Sequence, residues 1–257
     1  MCSIPQSVSE QIFDHPVVIC GSYRGQERAA ETVWFGSSPE YVPALPLAAL
    51  DSSVFAACTG PDDGLADASL AVYDRKPSLA GNGLQSTKVP GSIATDAEFW
   101  RQTSRKAFGS AISLYDTSPV TKRVSGDPIA DCFGLVARGN SAVLAVADGV
   151  NWGEKSRLAA RAAVRAGLMH ANSYAALPDA LPDTRKSLSV LLESFTAAHS
   201  AILRAQGGLT TLCIAAALPL ARPPQFAVCC VNLGDTFAYV WSKSRGLREL
   251  TVGSHDV

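Results

Sequence analysis

An aspartate followed by glycine provides the strongest candidate for metal chemistry in this sequence. Asp148-Gly149 follows the apolar run 142–147 and precedes a helical pattern that starts near Glu154. A carboxylate at the end of a buried strand can bind a hard cation, and an adjacent glycine lets its backbone carbonyl approach the same ion. Asp-Gly is also a common turn, so the alternative is that Asp148 caps the helix.

Asp131 is the second candidate, because it directly precedes the apolar run 132–136. This run and the run before Asp148 are separated by Arg138-Gly139-Asn140-Ser141, a pattern that predicts a β-hairpin with a buried second strand. The two strands therefore converge near Asp131 and Asp148. A simple turn role is the alternative for Asp131.

Two helices and three strands are predicted after Asp148. The first helix, 154–170, has small and apolar residues on one face and Arg157, Arg161 and Arg165 on the other. The second helix is predicted over 185–205, and the strands over 209–218, 226–232 and 236–242. This order, with strands before and after a helix pair, predicts an α+β layered domain rather than alternating parallel units.

The first part of the chain has no comparably clear pattern. Its Gly, Pro and Ser clusters predict loosely ordered chain with a few short strands over residues 1–115, ahead of a domain over 116–257. A weak apolar periodicity predicts a helix over 96–114, with Asp96 as its N-cap.

Composition narrows the class of protein. The 257 residues are 47% hydrophobic, which is ample for a buried core. No apolar run is long enough for a secretory signal or a membrane span, so an intracellular protein, cytoplasmic by preference, is expected. The seven cysteines are scattered, without C-x-x-C spacing, and indicate neither a disulfide framework nor a zinc site.

The formal net charge of −1 conceals an uneven distribution. Acidic residues outnumber basic ones up to Val120, and basic residues outnumber acidic ones after it. The basic part suits an anionic substrate such as a phosphopeptide, although a solvated basic helix face explains it equally well. There is no dense Lys/Arg run interleaved with aromatic residues, so nucleic acid is not an expected partner, and the oligomeric state is left open.

Four segments in order resemble motifs of the PP2C (PPM) family of metal-dependent protein phosphatases. The segment 145–153, AVADGVNWG, looks like the family's "ADGVGGW" variant, and 126–133, GDPIADCF, resembles its first motif. Downstream, 207–211, GGLTT, is similar to "GSTA", and 231–236, VNLGDT, to "ANVGDSRA". The segment 250–255 is more weakly similar to the family's "LTxDH" segment. Four matches with fitting spacing are far more specific than any one of them.

The resemblance implies a PP2C-like β-sandwich flanked by antiparallel helix pairs, incomplete in this chain and preceded by an irregular N-terminal region. It implies that Asp148 bridges two Mg²⁺ or Mn²⁺ ions, joined by the Gly149 carbonyl. It places Asp131 in or next to the first coordination shell and Asp235 at an accessory metal site. The reaction implied is hydrolysis of phosphoserine or phosphothreonine in a protein substrate by a metal-activated water, with Asp148 and Asp131 as catalytic residues.

Departures from the family pattern bear on activity. Ala130 stands where many relatives have an acidic or amide residue, Gly126 where they have a phosphate-binding arginine, and Val150 where some have a histidine. Arg123 is the nearest substitute for that arginine. The family's later metal-binding aspartates have no counterpart before Val257, so this chain alone is expected to be inactive. The alternative function is a pseudophosphatase that acts as a binding or scaffold module.

Overall fold

The computed structural model describes ten stretches of the chain. They are residues 17–22, 32–35, 44–61, 100–102, 104–112, 115–122, 124, 126–222, 225–242 and 246–251. The predicted N-cap Asp96, Arg123 and the segment 252–257 lie outside them.

Most of the strands in these stretches form one eight-stranded sheet, in which neighbouring strands are antiparallel. Its order is β2-β1-β8-β7-β6-β5-β3-β4. The strands are β1 (Val17–Ser22), β2 (Thr32–Phe35), β3 (Val54–Gly60), β4 (Arg101–Gln102), β5 (Cys132–Arg138), β6 (Ala142–Ala147), β7 (Leu212–Pro219) and β8 (Gln225–Leu233). A separate hairpin joins β9 (Tyr239–Ser242) to β10 (Gly246–Glu249).

Two helices, α1 (Glu154–Ala175) and α2 (Thr184–Arg204), pack on each other and on this sheet. Asp183 caps α2, because its side chain accepts a hydrogen bond of 2.8 Å from the Lys186 backbone N–H. Leu188, Leu191 and Phe195 form the apolar stripe that turns α2 toward the core. These elements confirm the predicted α+β class.

The main core lies between the helices and one face of the sheet. Alternate strand residues such as Val136, Val143 and Ile214 point into it. The opposite face carries two smaller clusters, one at β3 and β5 and one where β9 packs on β7 and β8. Between these clusters, Leu144 and Val146 of β6 remain 41% and 44% exposed.

The helix predicted over 96–114 is not formed in the part of it that the structure describes. Arg101 and Gln102 form β4, and a turn follows at 104–107. Trp100 is buried, whereas Phe108 and Ile112 are 72% and 74% exposed. The supposed apolar face therefore does not exist, and pairing with β3 overrides a weak local pattern.

The sheet crosses the predicted domain boundary at 115/116. β3 pairs with β5, and β1 pairs with β8 about two hundred residues later. Residues 45–48 also bond to the backbone of Pro182 and of Pro219 and to Thr184. Parts of the N-terminal region therefore belong to the same folded unit as residues after 116.

Arg161 and Arg165 do not lie on an exposed face of α1 as predicted. Both are buried, with 3% of their surface exposed. The reason is that α1 is covered on more than one side: Val164 and Leu168 contact β5, while Ala162 packs in the cluster with α2. Burial lowers the pKa of Arg161.

Candidate metal centre

Asp131 and Asp148 are brought together by the β5–β6 hairpin, as the sequence predicts. β5 begins immediately after Asp131 and β6 ends immediately before Asp148, and the register pairs Cys132 with Ala147. The two carboxyl groups lie within hydrogen-bonding range of each other. Both residues are exposed at this end of the sheet.

The carboxyl pair is electrostatically unfavourable without a cation. Partial burial raises the pKa of Asp131, and the charge of Asp148 and its hydrogen bond raise it further. The Gly149 backbone N–H donates to Asp131 and lowers this pKa in part. A bound divalent cation would relieve this repulsion, so the pair is a candidate binding site.

The backbone of Asp148 is held by two consecutive threonines that follow α2. Its N–H donates to Thr211 Oγ1 at 2.9 Å, and its carbonyl accepts from the Thr211 N–H at 2.8 Å. Thr210 Oγ1 donates to the same carbonyl at 2.9 Å. Thr211 Oγ1 also bonds to Thr236 Oγ1, so the turn after β8 is connected to this site. The sequence pattern did not predict the bonds between Thr211 and Asp148.

Gly149 is required by close approach of the backbone. A Cβ at this position would lie 2.8 Å from the carbonyl oxygens of Ala130 and Ser156. Gly149 also forms an antiparallel bridge with Thr210, in which the hydrogen bonds are made by the flanking residues. The Gly149 carbonyl is therefore not used by the bridge, which is consistent with its predicted role as a ligand.

Asp148 does not cap α1, so the alternative considered for it is wrong. The N-cap is Gly153, with a φ of 105° and no side-chain cap bond. The turn between Asp148 and the helix is closed by Asn151, in the left-handed region at φ 64°, and by a 2.6 Å bond from Ser156 Oγ to the Val150 carbonyl.

The predicted third aspartate, Asp235, lies exposed in the turn after β8. Within the described residues, no group of three or more His, Cys, Asp or Glu side chains could hold a metal ion. Asp235 therefore does not join the pair, and its accessory role stays a prediction. Two carboxylates and a carbonyl fit Mg²⁺ or Mn²⁺ in chemical type, but this is a small ligand set.

Two aromatic side chains lie beside the carboxylate segments. Trp152 Nε1–H donates to Tyr115 Oη at 3.2 Å, and the rings meet edge to face with centroids 4.9 Å apart. Trp152 is 64% exposed and Tyr115 is 51% exposed. The pair connects the chain entering the Asp131 segment with the loop leaving Asp148, a contact that the sequence pattern did not predict.

Comparison with known proteins agrees with the motifs. A family model described as protein phosphatase 2C matches residues 120–256. The chain belongs to this family. The match covers β5 to β10 and therefore all four candidate residues, and it confirms the resemblance inferred from the motifs.

A curated relative gives the same family and a difference in length. The chain is similar to the "PP2C-like domain-containing protein CG9801" of Drosophila melanogaster, with 44% identity over 177 residues, or 67% of this chain. It spans about a quarter of that protein's length, since the aligned part makes up 25% of it. No solved structure matches the chain. In the part that the structure describes, neither helix is long and apolar enough to cross a membrane.

Proposed function

We propose that this chain contributes part of the active site of a metal-dependent phosphatase that hydrolyses phosphoserine or phosphothreonine in proteins. The observation that carries the proposal is the Asp131–Asp148 pair at adjacent ends of β5 and β6. Membership of the protein phosphatase 2C family supports the reaction type. We also propose that the protein is intracellular, as the sequence predicts.

The chain's own residues would hold and orient Mg²⁺ or Mn²⁺. Asp148 and Asp131 offer carboxylate oxygens, and Gly149 offers its carbonyl. When bound, two such ions lower the pKa of a water molecule and stabilise charge on the phosphoryl oxygens. Thr210 and Thr211 fix the backbone from which Asp148 projects, and the Gly149 N–H orients Asp131.

Loss of Asp148 tests the proposal directly. The full-length gene product is expected to hydrolyse a phosphoserine peptide in the presence of Mn²⁺, and Asp148→Ala is expected to lower the rate by at least about a hundredfold, because a proposed metal ligand is lost. Phosphate release is the measurement. The absence of Mn²⁺-dependent release from the unsubstituted protein would refute the enzymatic proposal.

A second candidate function is a catalytically inactive binding module. It is favoured by the small ligand set, since no third acidic, histidine or cysteine side chain joins the pair among the described residues. In this case the acidic N-terminal part would dock partners. Calorimetric titration with Mn²⁺ separates the two functions, because the inactive module predicts no heat of binding.

A further inference from the structure

We propose that Tyr115 and Trp152 select phosphopeptides by binding an apolar side chain close to the phosphorylated residue. This inference rests on the proposed function, because it assumes that the phosphoryl group lies at Asp131 and Asp148. It adds a specificity determinant that the metal ligands themselves cannot supply.

The first step is that the aromatic pair is exposed although its side chains are large and apolar. Trp152 and Tyr115 leave more than half of their surfaces in water. Exposed Trp and Tyr side chains are the residue types most enriched among energetically important binding contacts. Burying the exposed ring surface of Trp152 against a partner would therefore be favourable.

The second step is that the pair is held in place before any ligand arrives. The Trp152 indole N–H donates to the Tyr115 hydroxyl, and the rings are in edge-to-face contact. At the start of the same loop, the Val150 backbone N–H donates to the Leu209 carbonyl at 3.0 Å. A preorganised surface loses less conformational entropy on binding.

The third step concerns the surroundings of the pair. Val150 is 42% exposed and Leu209 is 74% exposed, and the two residues are joined by the backbone bond just described. Val150 and Trp152 follow Asp148 by two and four residues, so exposed apolar side chains lie on the segment that leaves Asp148 and on Leu209, which is bonded to it. This composition suits a branched aliphatic or aromatic side chain better than a charged one.

The fourth step is reach. Trp152 follows Asp148 by four residues, so the Cα atoms of the two are at most about 14 Å apart. An extended peptide advances about 3.3 Å per residue. A side chain within about four positions of the phosphorylated residue can therefore reach the aromatic pair, which makes the substrate itself the occupant that the geometry favours.

The test is a binding series with labelled phosphoserine peptides in the presence of Mn²⁺. One leucine is moved through the four positions on each side of the phosphoserine in a Gly/Ser background, and affinity for the 257-residue chain is measured by fluorescence anisotropy. At one or two positions, leucine is expected to tighten binding on the order of tenfold over the parent peptide, the worth of one apolar contact. Mass spectrometry of the recovered peptides reports hydrolysis separately.

Three variants make the series decisive. Trp152→Ala is expected to abolish the leucine preference without weakening the parent peptide more than about twofold, whereas Trp152→Phe is expected to keep part of the preference because a ring remains. The matched control is Trp241→Ala, which removes an equally exposed tryptophan from β9 and is expected to change nothing. Tyr115→Phe removes the hydrogen bond and keeps the ring. A leucine preference that survives in this variant comes from contact with the rings and not from the hydrogen bond that holds them.

The outcomes also separate this inference from the proposed function. A leucine preference that depends on Trp152 would support the inference whether or not the peptide is hydrolysed, because the phosphatase proposal is tested separately with the full-length gene product. Hydrolysis without any leucine preference, or a preference that survives Trp152→Ala, would overturn the inference alone. Self-association of the chain that is abolished by Trp152→Ala would overturn it as well, because a second copy would then be the occupant.

Discussion

Replacing Asp148 with asparagine is expected to stabilise the metal-free chain and to abolish its stabilisation by Mn²⁺. Asparagine has nearly the same shape, and the backbone bonds from Asp148 to Thr211 and Thr210 need no carboxylate. The substitution removes one of two like charges and leaves an amide that can donate to Asp131. The two effects on stability therefore have opposite signs, which makes the test specific.

The size of the first effect follows from the position of the pair. Two unit charges about 4 Å apart in a largely aqueous environment repel each other by about 1 kcal/mol. Both aspartates are exposed and screened by salt, so a gain of roughly 0.5–1 kcal/mol is expected for Asp148→Asn in chelator. In a chain of this size 1 kcal/mol corresponds to about 2–4 °C in Tm.

The size of the second effect follows from linkage. A site with two carboxylates is expected to bind a divalent ion with Kd on the order of 1 mM. At about 10 mM Mn²⁺, such binding stabilises the native chain by about 1.4 kcal/mol. The unsubstituted chain should therefore gain about 3–6 °C on addition of Mn²⁺, and the variant should gain almost nothing.

Thermal unfolding followed by circular dichroism, with chelator and with Mn²⁺, measures both effects. Asp116→Asn is the matched control, because it makes the same chemical change at an exposed aspartate outside the pair. The control is expected to alter neither the metal-free Tm nor the Mn²⁺ response. A metal-free Asp148→Asn chain that unfolds at a lower Tm than the native chain would refute the repulsion, and an undiminished Mn²⁺ response would refute the metal site.

Three further substitutions test the supports of the site and the core. Gly149→Ala would place a Cβ 2.8 Å from two backbone oxygens and is expected to lower the free energy of unfolding in urea by about 1–3 kcal/mol. In the control Gly208→Ala the Cβ meets only ordinary contacts, so the free energy of unfolding should change by no more than about 0.5 kcal/mol. Equal costs would contradict the close-approach argument. Thr211→Val leaves the Asp148 N–H without its acceptor and should cost about 1–3 kcal/mol, and an unchanged stability would show that this bond is replaceable. A hydrogen bond with the Cys213 thiol raises the pKa of Cys230 well above 9.0, and burial is the second cause of this rise. The folded thiol keeps its proton, whereas the unfolded thiol releases it above about pH 9, so the stability that Cys230 contributes is present below that pH and is lost as pH rises. Cys230→Ala should therefore reduce the loss of unfolding free energy between pH 8 and pH 10 by about 1.4 kcal/mol. An identical loss in the variant and the native chain would refute this.

The part of the site that sequence could predict is the part that depends on local pairing. Alternating apolar runs on either side of 138–141 specify a hairpin, and a hairpin with that register places Asp131 next to Asp148. The bounds of both helices were likewise predicted to within a few residues, apart from the extension of α1 to Ala175. Periodicity and a short turn are sufficient for these features.

The features that sequence reasoning missed depend on contacts between distant parts of the chain. Thr211 contacts Asp148 across 63 positions, and β1 pairs with β8 from a region whose local composition predicts little order. The burial of Arg161 likewise depends on which elements cover α1, and no periodicity within the helix contains that information. The false helix over 96–114 has the same origin, because pairing of β4 with β3 decides its backbone.

The geometry of the carboxylate pair also bears on which of the two candidate functions applies. The backbones of Asp131 and Asp148 are held close together, because the β5–β6 ladder fixes one side and the Thr211 bonds fix the other. Two like charges are therefore held near each other in the folded chain, and a proton or a cation would relieve their repulsion. Additional ligands would increase the affinity without moving the site, since ion affinity rises with the number of carboxylates. A heat of Mn²⁺ binding to the full-length product would therefore favour the phosphatase, whereas the inactive module predicts none.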